Sequence, residues 1–497
     1  MNKSKFYVTA LFCMIFMIFI ESCQKDLLYP NPESLLTSSN AFSSSKDIDL
    51  SVLGIYNSLQ SRVPTDYQIM EAPTDNLWIQ TDVGSEGTVS ISTLDDNPDN
   101  LKLNTFWKST YSGIFRCNTV LANIDIPTDY SNTQKAQFTG EAKFMRAMFY
   151  FDLVRIFGGV PAITNILSPN ESRKIPMSTE TEIYSLIVKD LLDAVNMLPP
   201  PSSMAWGRAS KGAAVALLAK VYVYLKDWDN AKKYLDELFS SEFNYSLVPD
   251  YANLFKIETE VNSEAIFSVA YVEGTNGQGL AWLLAPNGGV YKKFPFGNFA
   301  GMPTWDLRKS YKTGDSRFST TITEDWYPFT YKPGDPAIWY PYFSKWTVPA
   351  SVSTSSGLDI VVLRLADMIL LNSEVLYNLG HPDEALTQIN RIRERAFGNS
   401  SHNYAIVDIA TPDEFMDKLL LERRLELAVE NNRWFDLVRT GRFTSVLQNI
   451  EGEYSSTTGT GIVIKQIHAK PYMKYFPIPN EQIQVAAPGV LKQNEGY

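Results

Sequence analysis

Apolar residues recur at spacings of three and four positions over several long stretches of the chain, a periodicity that predicts α-helices. The strongest stretch, Phe138–Phe157, is followed by Gly158 and Pro161, a combination that typically terminates a helix. Helices are predicted over Asp47–Ser61, Phe106–Asn123, Phe138–Phe157, Glu180–Leu198, Lys211–Leu225, Asn230–Ser240, Val361–Leu379 and Pro382–Phe397, with one long helix or two over Pro412–Thr440. The chain is therefore predicted to be mostly α-helical.

Two of the predicted helix pairs share one kind of turn. In each pair an Ala follows the Leu at the end of the first helix by six residues: Ala231 follows Leu225, and Ala385 follows Leu379. A small residue at this place lets two antiparallel helices approach closely, as in tetratricopeptide repeats. The pattern predicts a tetratricopeptide-like helical-repeat scaffold, and a helix bundle without repeats is the alternative.

The pattern changes between residues 266 and 350, where long helical periods vanish and Gly, Pro and aromatic residues alternate in short runs. Residues 267–346 contain 19 aromatic side chains in 80 positions, about 24% against 13% in the whole chain, and five of the ten Trp residues. This segment is predicted to be a loop-rich, ligand-binding subdomain. It would lie within a C-terminal region, 266–497, that follows an N-terminal helical region, 46–265.

Composition limits the kind of protein. The chain has 497 residues, a formal net charge of −11 and 44% hydrophobic residues. This apolar content is enough for a large core and argues against disorder. The acidic balance argues against a nucleic-acid partner, because binding to phosphates needs a basic face. Three cysteines are too few for a disulfide framework.

The N-terminal segment is predicted to direct export. Lys3 and Lys5 precede an apolar run, Phe6–Ile20, which is too short to span a bilayer comfortably and has the features of a signal peptide. Ile20 lies three positions before Cys23, and the small Ser22 lies just before it, as in a bacterial lipobox.

A lipobox predicts a lipoprotein signal peptide over residues 1–22 and lipidation of Cys23, which would anchor the protein to a membrane. The Ser-, Asn- and Pro-rich residues that follow would form a lipidated tether over residues 23–45. An ordinary cleaved signal peptide with an incidental Cys is the alternative.

No motif singles out a catalytic or metal centre. The chain has no nucleophile elbow, no phosphate-binding glycine loop and no paired Cys or His residues at zinc-binding spacing. The acidic residues between Asp82 and Asp99 do not match a calcium-binding EF-hand loop. We therefore predict a protein that is not an enzyme and that has no metal and no cofactor.

The aromatic residues favour ligand binding instead. A sugar ring has an apolar face that an aromatic ring can cover, while polar side chains bond its hydroxyl groups. Trp and Tyr are favoured for this because they have few rotatable bonds. The residues predicted to contact ligand lie in predicted loops: Trp78, Trp282, Trp326, Trp339 and Tyr291 as aromatic contacts, and Asp75 and Asn76 as polar contacts. Trp305 is interpreted as structural.

Several segments together resemble the SusD/RagB family of Bacteroidetes outer-membrane nutrient-binding lipoproteins. They lie in the family's order behind the lipobox: Glu141–Ala147, Asp152–Pro161, Leu363–Asp367, Ile389–Arg393, Glu422–Glu426, Arg433–Arg439, Phe476–Pro479 and Gln493–Tyr497. Ser373 departs from the family, in which Ala is common at that place. The charged residues of these segments have helical spacing, so we interpret them as buried ion pairs of the scaffold.

The resemblance implies about four tetratricopeptide-like helix pairs with an inserted loop-rich subdomain. It also implies capture of oligosaccharides, without catalysis, for a SusC-like TonB-dependent transporter of the outer membrane. A peptide-binding lipoprotein on the same scaffold is an alternative, and an exported glycoside hydrolase is a further one.

Overall fold

The computed structural model describes residues 41–79, 87–285, 301–328, 337–347, 354–455 and 461–497. Its α-helices are α1 Ser45–Gln60, α2 Val63–Met70, α3 Thr88–Thr93, α4 Leu101–Asn123, α5 Gln134–Phe157, α6 Pro169–Ser172, α7 Glu180–Met197, α8 Lys211–Leu225, α9 Trp228–Leu238, α10 Leu280–Leu284, α11 Trp305–Ser310, α12 Arg317–Thr321, α13 Leu365–Asn378, α14 Pro382–Phe397, α15 Pro412–Glu426, α16 Arg433–Arg439, α17 Phe443–Val446 and α18 Asn480–Val485. Short 3₁₀ helices cover Pro201–Ser203, Tyr251–Phe255, Ile257–Thr259, Ser400–His402, Ile406–Ile409 and Pro471–Lys474.

Eight short strands form four separate antiparallel pairs among the described residues. They are β1 Leu77–Trp78, β2 Ala265–Val269, β3 Met302–Pro303, β4 Ile322–Pro328, β5 Ala337–Phe343, β6 Ile360–Arg364, β7 Ile450–Ser455 and β8 Gly461–Lys465. The pairs are β1 with β3, β2 with β6, β4 with β5, and β7 with β8.

Four helix pairs build the scaffold, which confirms the predicted mostly α-helical, tetratricopeptide-like fold. α1 packs on α4, α5 on α7, α8 on α9, and α13 on α14. Ala231 and Ala385, the small residues of the two predicted turns, are fully buried. Ser373, the departure from the family pattern, lies in α13, and its hydroxyl donates to the carbonyl of Ala385 at 2.7 Å, which ties α13 to α14.

α8 joins the pairs because it is apolar on almost every side. It packs against α7, α9 and α13, and all its residues from Gly212 to Val223 are buried. The Ser210 hydroxyl accepts a hydrogen bond from the backbone N–H of Ala213 and caps the first turn. A helix with this pattern is stable only inside a scaffold that covers it.

One predicted helix contains a strand, and an alternative that the sequence left open is decided. The helix predicted over Val361–Leu379 begins only at Leu365, because the preceding residues form β6 and pair with β2. A short apolar run is equally typical of a buried strand. The stretch Pro412–Thr440 is two helices, α15 and α16, separated where Val429 and Asn431 have positive φ angles.

The charged residues of the family segments form buried ion pairs, as interpreted from their spacing. Arg146 Nε lies 2.7 Å from an Asp190 carboxylate oxygen, between α5 and α7. Arg423 contacts Asp436 at 2.7 Å and Asp367 at 2.8 Å, and so links α15, α16 and α13. Such pairs fix how helices are aligned, at little net gain in stability.

The predicted signal peptide and Cys23 lie outside the described residues, and the described chain begins in the predicted tether, shortly before α1. None of the described helices has both the length and the apolar composition needed to cross a bilayer. β2 lies across the boundary predicted between residues 265 and 266.

Candidate functional site

Trp78 lies at the end of β1, where its indole ring packs on the backbone of β7. β1 pairs with β3 so that Trp78 is opposite Met302. The ring contacts Gly452, which lies at an irregularity in the β7–β8 register. A Cβ atom at Gly452 would lie 2.1 Å from Cε3 of Trp78, so the ring reaches this position only because residue 452 has no side chain. The indole remains partly exposed.

Lys465 holds the segment that leads to Trp78. Its buried ammonium, at the end of β8, donates to the carbonyls of Ala72, Thr74 and Leu77 at 2.8–2.9 Å. Burial lowers the pKa of Lys465 to about 7, whereas the three acceptors around Nζ favour its charged form. One side chain therefore fixes the course of residues 72–77 from the neighbouring hairpin.

Asp75 and Asn76, predicted from the sequence as polar ligand contacts, face the interior. Both carboxylate oxygens of Asp75 accept hydrogen bonds from Arg433, at 2.8 and 2.7 Å. Arg424 Nε donates to Asn76 Oδ1 at 2.8 Å. The side chains are almost fully buried, and the structure thus places these two residues in support of Trp78.

The electrostatics of Asp75 follow from this arrangement. Burial alone would raise the pKa of its carboxyl, but the charges of Arg424 and Arg433 outweigh that effect and hold the pKa well below its usual range. Asp75 is consequently ionised at neutral pH and binds two cations of the C-terminal helices to the segment before Trp78.

Trp326 and Trp339 lie in a second strand pair of the same region. They are directly opposite each other in the register of β4 and β5, so the two predicted contact residues are neighbours in the backbone. β5 lies against β3, which in turn pairs with β1 and Trp78. The structure therefore brings three of the predicted aromatic residues into one strand-rich region.

Trp305, which the sequence analysis interpreted as structural, adds a fourth Trp to this region. It is the first residue of α11, a helix that packs against β7, and its ring is partly exposed. The guanidinium of Arg308 lies over the ring, 4.5 Å from its centre, and pairs with Glu324 of β4. We call β1, α11 and the β4–β5 hairpin, with Trp78, Trp305, Trp326 and Trp339, the tryptophan region.

Two other predicted contacts are placed differently. Trp282 lies in α10, is partly buried against the main core, and belongs to a helix that packs on α2. Tyr291 lies outside the described residues. Ligand contact by these two residues, as by Trp78, Trp326 and Trp339, stays a prediction.

Within the described ranges, no group of three or more His, Cys, Asp or Glu side chains is arranged to hold a metal ion. Of the acidic loop, Asp95, Asp96 and Asp99 are described, and one carboxylate oxygen of Asp96 accepts hydrogen bonds from Ser90 at 2.9 Å and Asn100 at 2.7 Å. Burial raises the pKa of Asp96 to about 7. This carboxylate stabilises the local turn.

A tetratricopeptide-like scaffold with a strand-rich, tryptophan-bearing insertion points to the class of helical-repeat binding proteins. Comparison with known families makes the class specific. A family model described as the SusD family matches residues 263–497, and one described as starch-binding and associating with the outer membrane matches residues 31–223. The chain belongs to the SusD family.

Individual relatives agree with this assignment. A SusD-like protein of Formosa agariphila is 28% identical, over 91% of this chain and 95% of the relative. Among solved structures, a laminarin-binding SusD-like protein has a TM-score of 0.75 and 24% identity, over 92% of this chain and all of that one. Surface glycan-binding protein A from Bacteroides thetaiotaomicron, in complex with laminarihexaose, has a TM-score of 0.74 and 23% identity, over 91% of this chain and 99% of that one.

Proposed function

We propose that the protein binds oligosaccharides at the tryptophan region, without catalysis, and passes them to a SusC-like TonB-dependent transporter. The observation that carries the proposal is that the ring of Trp78 is held in a fixed position. Its ring rests on Gly452, and the segment before it is held by Lys465, Arg424 and Arg433. An aromatic ring fixed in advance loses little entropy when it covers the apolar face of a sugar.

The surroundings of Trp78 support an uncharged, hydroxyl-rich ligand. The charged side chains that α11 contributes to the tryptophan region include two that are paired with neighbouring strands: Arg308 with Glu324 of β4, and Lys309 with Glu451 of β7 at 2.5 Å. Paired charges leave little net field for a charged ligand, yet their remaining donors and acceptors are within the reach of hydroxyl groups. The site would therefore hold neutral glycans.

Affinity electrophoresis tests glycan binding. The soluble chain, starting after Cys23, is run through gels that contain single polysaccharides. Laminarin is the first choice because of the ligands named for the two similar structures, and starch is the second because of the family description. We expect retardation by one polymer and its recovery unshortened.

The matched variants are Trp78→Ala and Trp206→Ala. Trp206 is an exposed Trp outside the tryptophan region, with its indole N–H bonded to Asp359 at 2.6 Å. Trp78→Ala should weaken the affinity for the polymer at least tenfold, which corresponds to about 1.4 kcal/mol. Trp206→Ala should not change the affinity. Equal behaviour of both variants would refute the site.

Binding of peptides with no retardation by glycans would favour the peptide alternative, and release of reducing sugars would favour the hydrolase.

Membrane attachment and the transporter need tests of their own. We expect Cys23→Ala to move the protein from the outer-membrane fraction to the soluble fraction, because one acyl-modified residue would carry the anchor. The wild-type protein should co-purify from mild-detergent extracts with a β-barrel transporter. Recovery of Cys23→Ala in the membrane fraction, in wild-type amounts, would contradict lipidation at this residue.

A further inference from the structure

A second concave site lies away from the tryptophan region. It is a pocket with a volume of about 430 Å³ between α4, the segments that follow α5 and α6, and the C-terminal helix α18. Its walls are mostly aromatic and aliphatic, with Trp107, Tyr111, Ile163, Ile175, Val485 and Leu491. Pockets that bind small molecules have this volume and this mainly apolar lining.

The pocket is formed in advance by hydrogen bonds between its walls. The Tyr111 hydroxyl donates to the carbonyl of Pro161 at 2.8 Å. Arg173 is bonded twice to the C-terminal segment: its Nε donates to the carbonyl of Val485 at 2.6 Å, and its carbonyl accepts from the N–H of Ala487 at 2.8 Å. A ligand would find the walls already in place, so binding costs little ordering.

The charge at the pocket is carried by Arg173. The other cation of the lining, Lys108, is neutralised by Glu481, with 3.0 Å between Nζ and Oε1. Arg173 is exposed, and the described part of the chain offers it no carboxylate partner. Only its Nε is used, by Val485, so Nη1 and Nη2 remain available to a ligand at the mouth of the pocket.

We propose that this pocket binds a small amphipathic carboxylate. The apolar group, aromatic or branched aliphatic, would lie against Trp107 and Tyr111, and the carboxylate would accept hydrogen bonds from Nη1 and Nη2 of Arg173. An arginine fork bonds a carboxylate in this two-point manner better than it bonds a single hydroxyl group. The pocket shares no residue with the tryptophan region, so this binding does not depend on the proposed glycan site.

Isothermal titration with two probes tests the proposal. The probes are 3-phenylpropionate and the neutral 3-phenylpropan-1-ol, which share the apolar group and differ in charge. We expect saturable binding of the carboxylate, and at least tenfold weaker binding of the alcohol. Arg173→Gln should weaken carboxylate binding at least tenfold and the binding of the alcohol much less, because the alcohol is affected only through the lost wall contact to Val485.

Two further variants make the result specific. Lys492→Gln removes an exposed positive charge from the same C-terminal segment, outside the pocket lining, and should bind as the wild type does. Ser112→Trp puts a large ring on an exposed lining position of α4 and should abolish binding of both probes. A thermal melt of each variant verifies folding.

The proposal is overturned by three outcomes: no saturable binding of 3-phenylpropionate in the millimolar range, equal binding of the alcohol, or equal loss in Arg173→Gln and Lys492→Gln. Glycan retardation in gels should be unchanged in Ser112→Trp. Failure of the carboxylate to bind therefore leaves the glycan proposal standing, and the reverse also holds.

Discussion

The indole ring of Trp78 rests on the backbone of Gly452, so that a residue of β1 depends on the lack of a side chain in β7. The two residues are 374 positions apart, and the contact joins the N-terminal and C-terminal parts of the chain. It also turns the ring of Trp78 into a fixed wall of the proposed site.

Replacement of Gly452 should therefore impair binding without touching an aromatic residue. Gly452→Ala puts a Cβ atom 2.1 Å from Cε3 of Trp78, and the ring must move. We expect glycan binding at least about tenfold weaker, as in Trp78→Ala, with the fold retained. Gly279→Ala is the control, because its Cβ would meet Pro64 at an ordinary 3.6 Å. Wild-type affinity in Gly452→Ala, measured by affinity electrophoresis, would show that the position of the ring is not critical.

Asp75 should matter for stability. Asp75→Asn leaves Arg433 and Arg424 without their buried anion, so the free energy of unfolding should fall by about 3 kcal/mol. Asp413→Asn is the control, since its exposed carboxylate pairs with Arg442 at the surface and contributes little. Urea unfolding at pH 7 measures both variants. If Asp75→Asn has full stability but no longer binds glycans, Asp75 contacts the ligand instead.

The pH dependence gives a second test of Asp75. Its pKa in the folded protein is lower than in the unfolded chain, so its contribution to stability is present above the unfolded value of about 3.9 and is lost as the pH falls through the folded value. The difference in stability between the wild type and Asp75→Asn should therefore be largest at neutral pH and shrink on acidification below pH 4. A difference that stays constant would contradict the ion pair.

The helical scaffold could be predicted because its signals are local. The periodicity of Lys211–Leu225 and Pro382–Phe397 and the turn alanines are contained in short windows, and the structure reproduces both helices with the same bounds. The strand β6 was missed because its apolar run continues into α13, and only its pairing with β2 separates the two.

The site was predicted only in part, because its residues meet through contacts between distant segments. The loop-like surroundings of Trp78, Trp326 and Trp339 singled them out, and the structure brings their strands together, but Trp305 was not predicted to lie beside them. Ligand contact by these residues stays a prediction. Asp75 lies in a polar segment that is typical of a loop. No local pattern shows that Arg433, 358 positions later, pairs with it in the interior. The roles of Gly452 and Lys465 likewise have no sequence pattern.

Lys465 should be the residue whose loss loosens the site most directly. Lys465→Met leaves the carbonyls of Ala72, Thr74 and Leu77 buried without a donor, so we expect a loss of about 2–4 kcal/mol in the free energy of unfolding. Glycan binding should weaken too, because Trp78 follows this segment. Lys492→Met, at an exposed position, is the control for the change of charge. Equal melting temperatures of the two variants would show that the three hydrogen bonds contribute nothing.

Glu71 should make the protein less stable as the pH rises. Its side chain is fully buried, and burial raises its pKa to about 8 from an ordinary 4.5. Between these two pH values the folded protein binds a proton that the unfolded chain has lost. The free energy of unfolding therefore falls with pH, by up to about 1.4 kcal/mol per pH unit for this one group.

Glu71→Gln removes this dependence and keeps the acceptor, since Oε1 of Glu71 accepts the backbone N–H of Asn431 at 2.6 Å. The variant should equal the wild type in urea unfolding near pH 5 and exceed it by about 3 kcal/mol at pH 8. Asp66 and Asp96, whose pKa values are also raised to about 7, are present in both proteins and cancel in the difference. The exposed Glu495→Gln should follow the wild type at both pH values. Parallel curves for Glu71→Gln and the wild type would mean that Glu71 is ionised in the folded protein, with Lys345 nearby as its compensating charge.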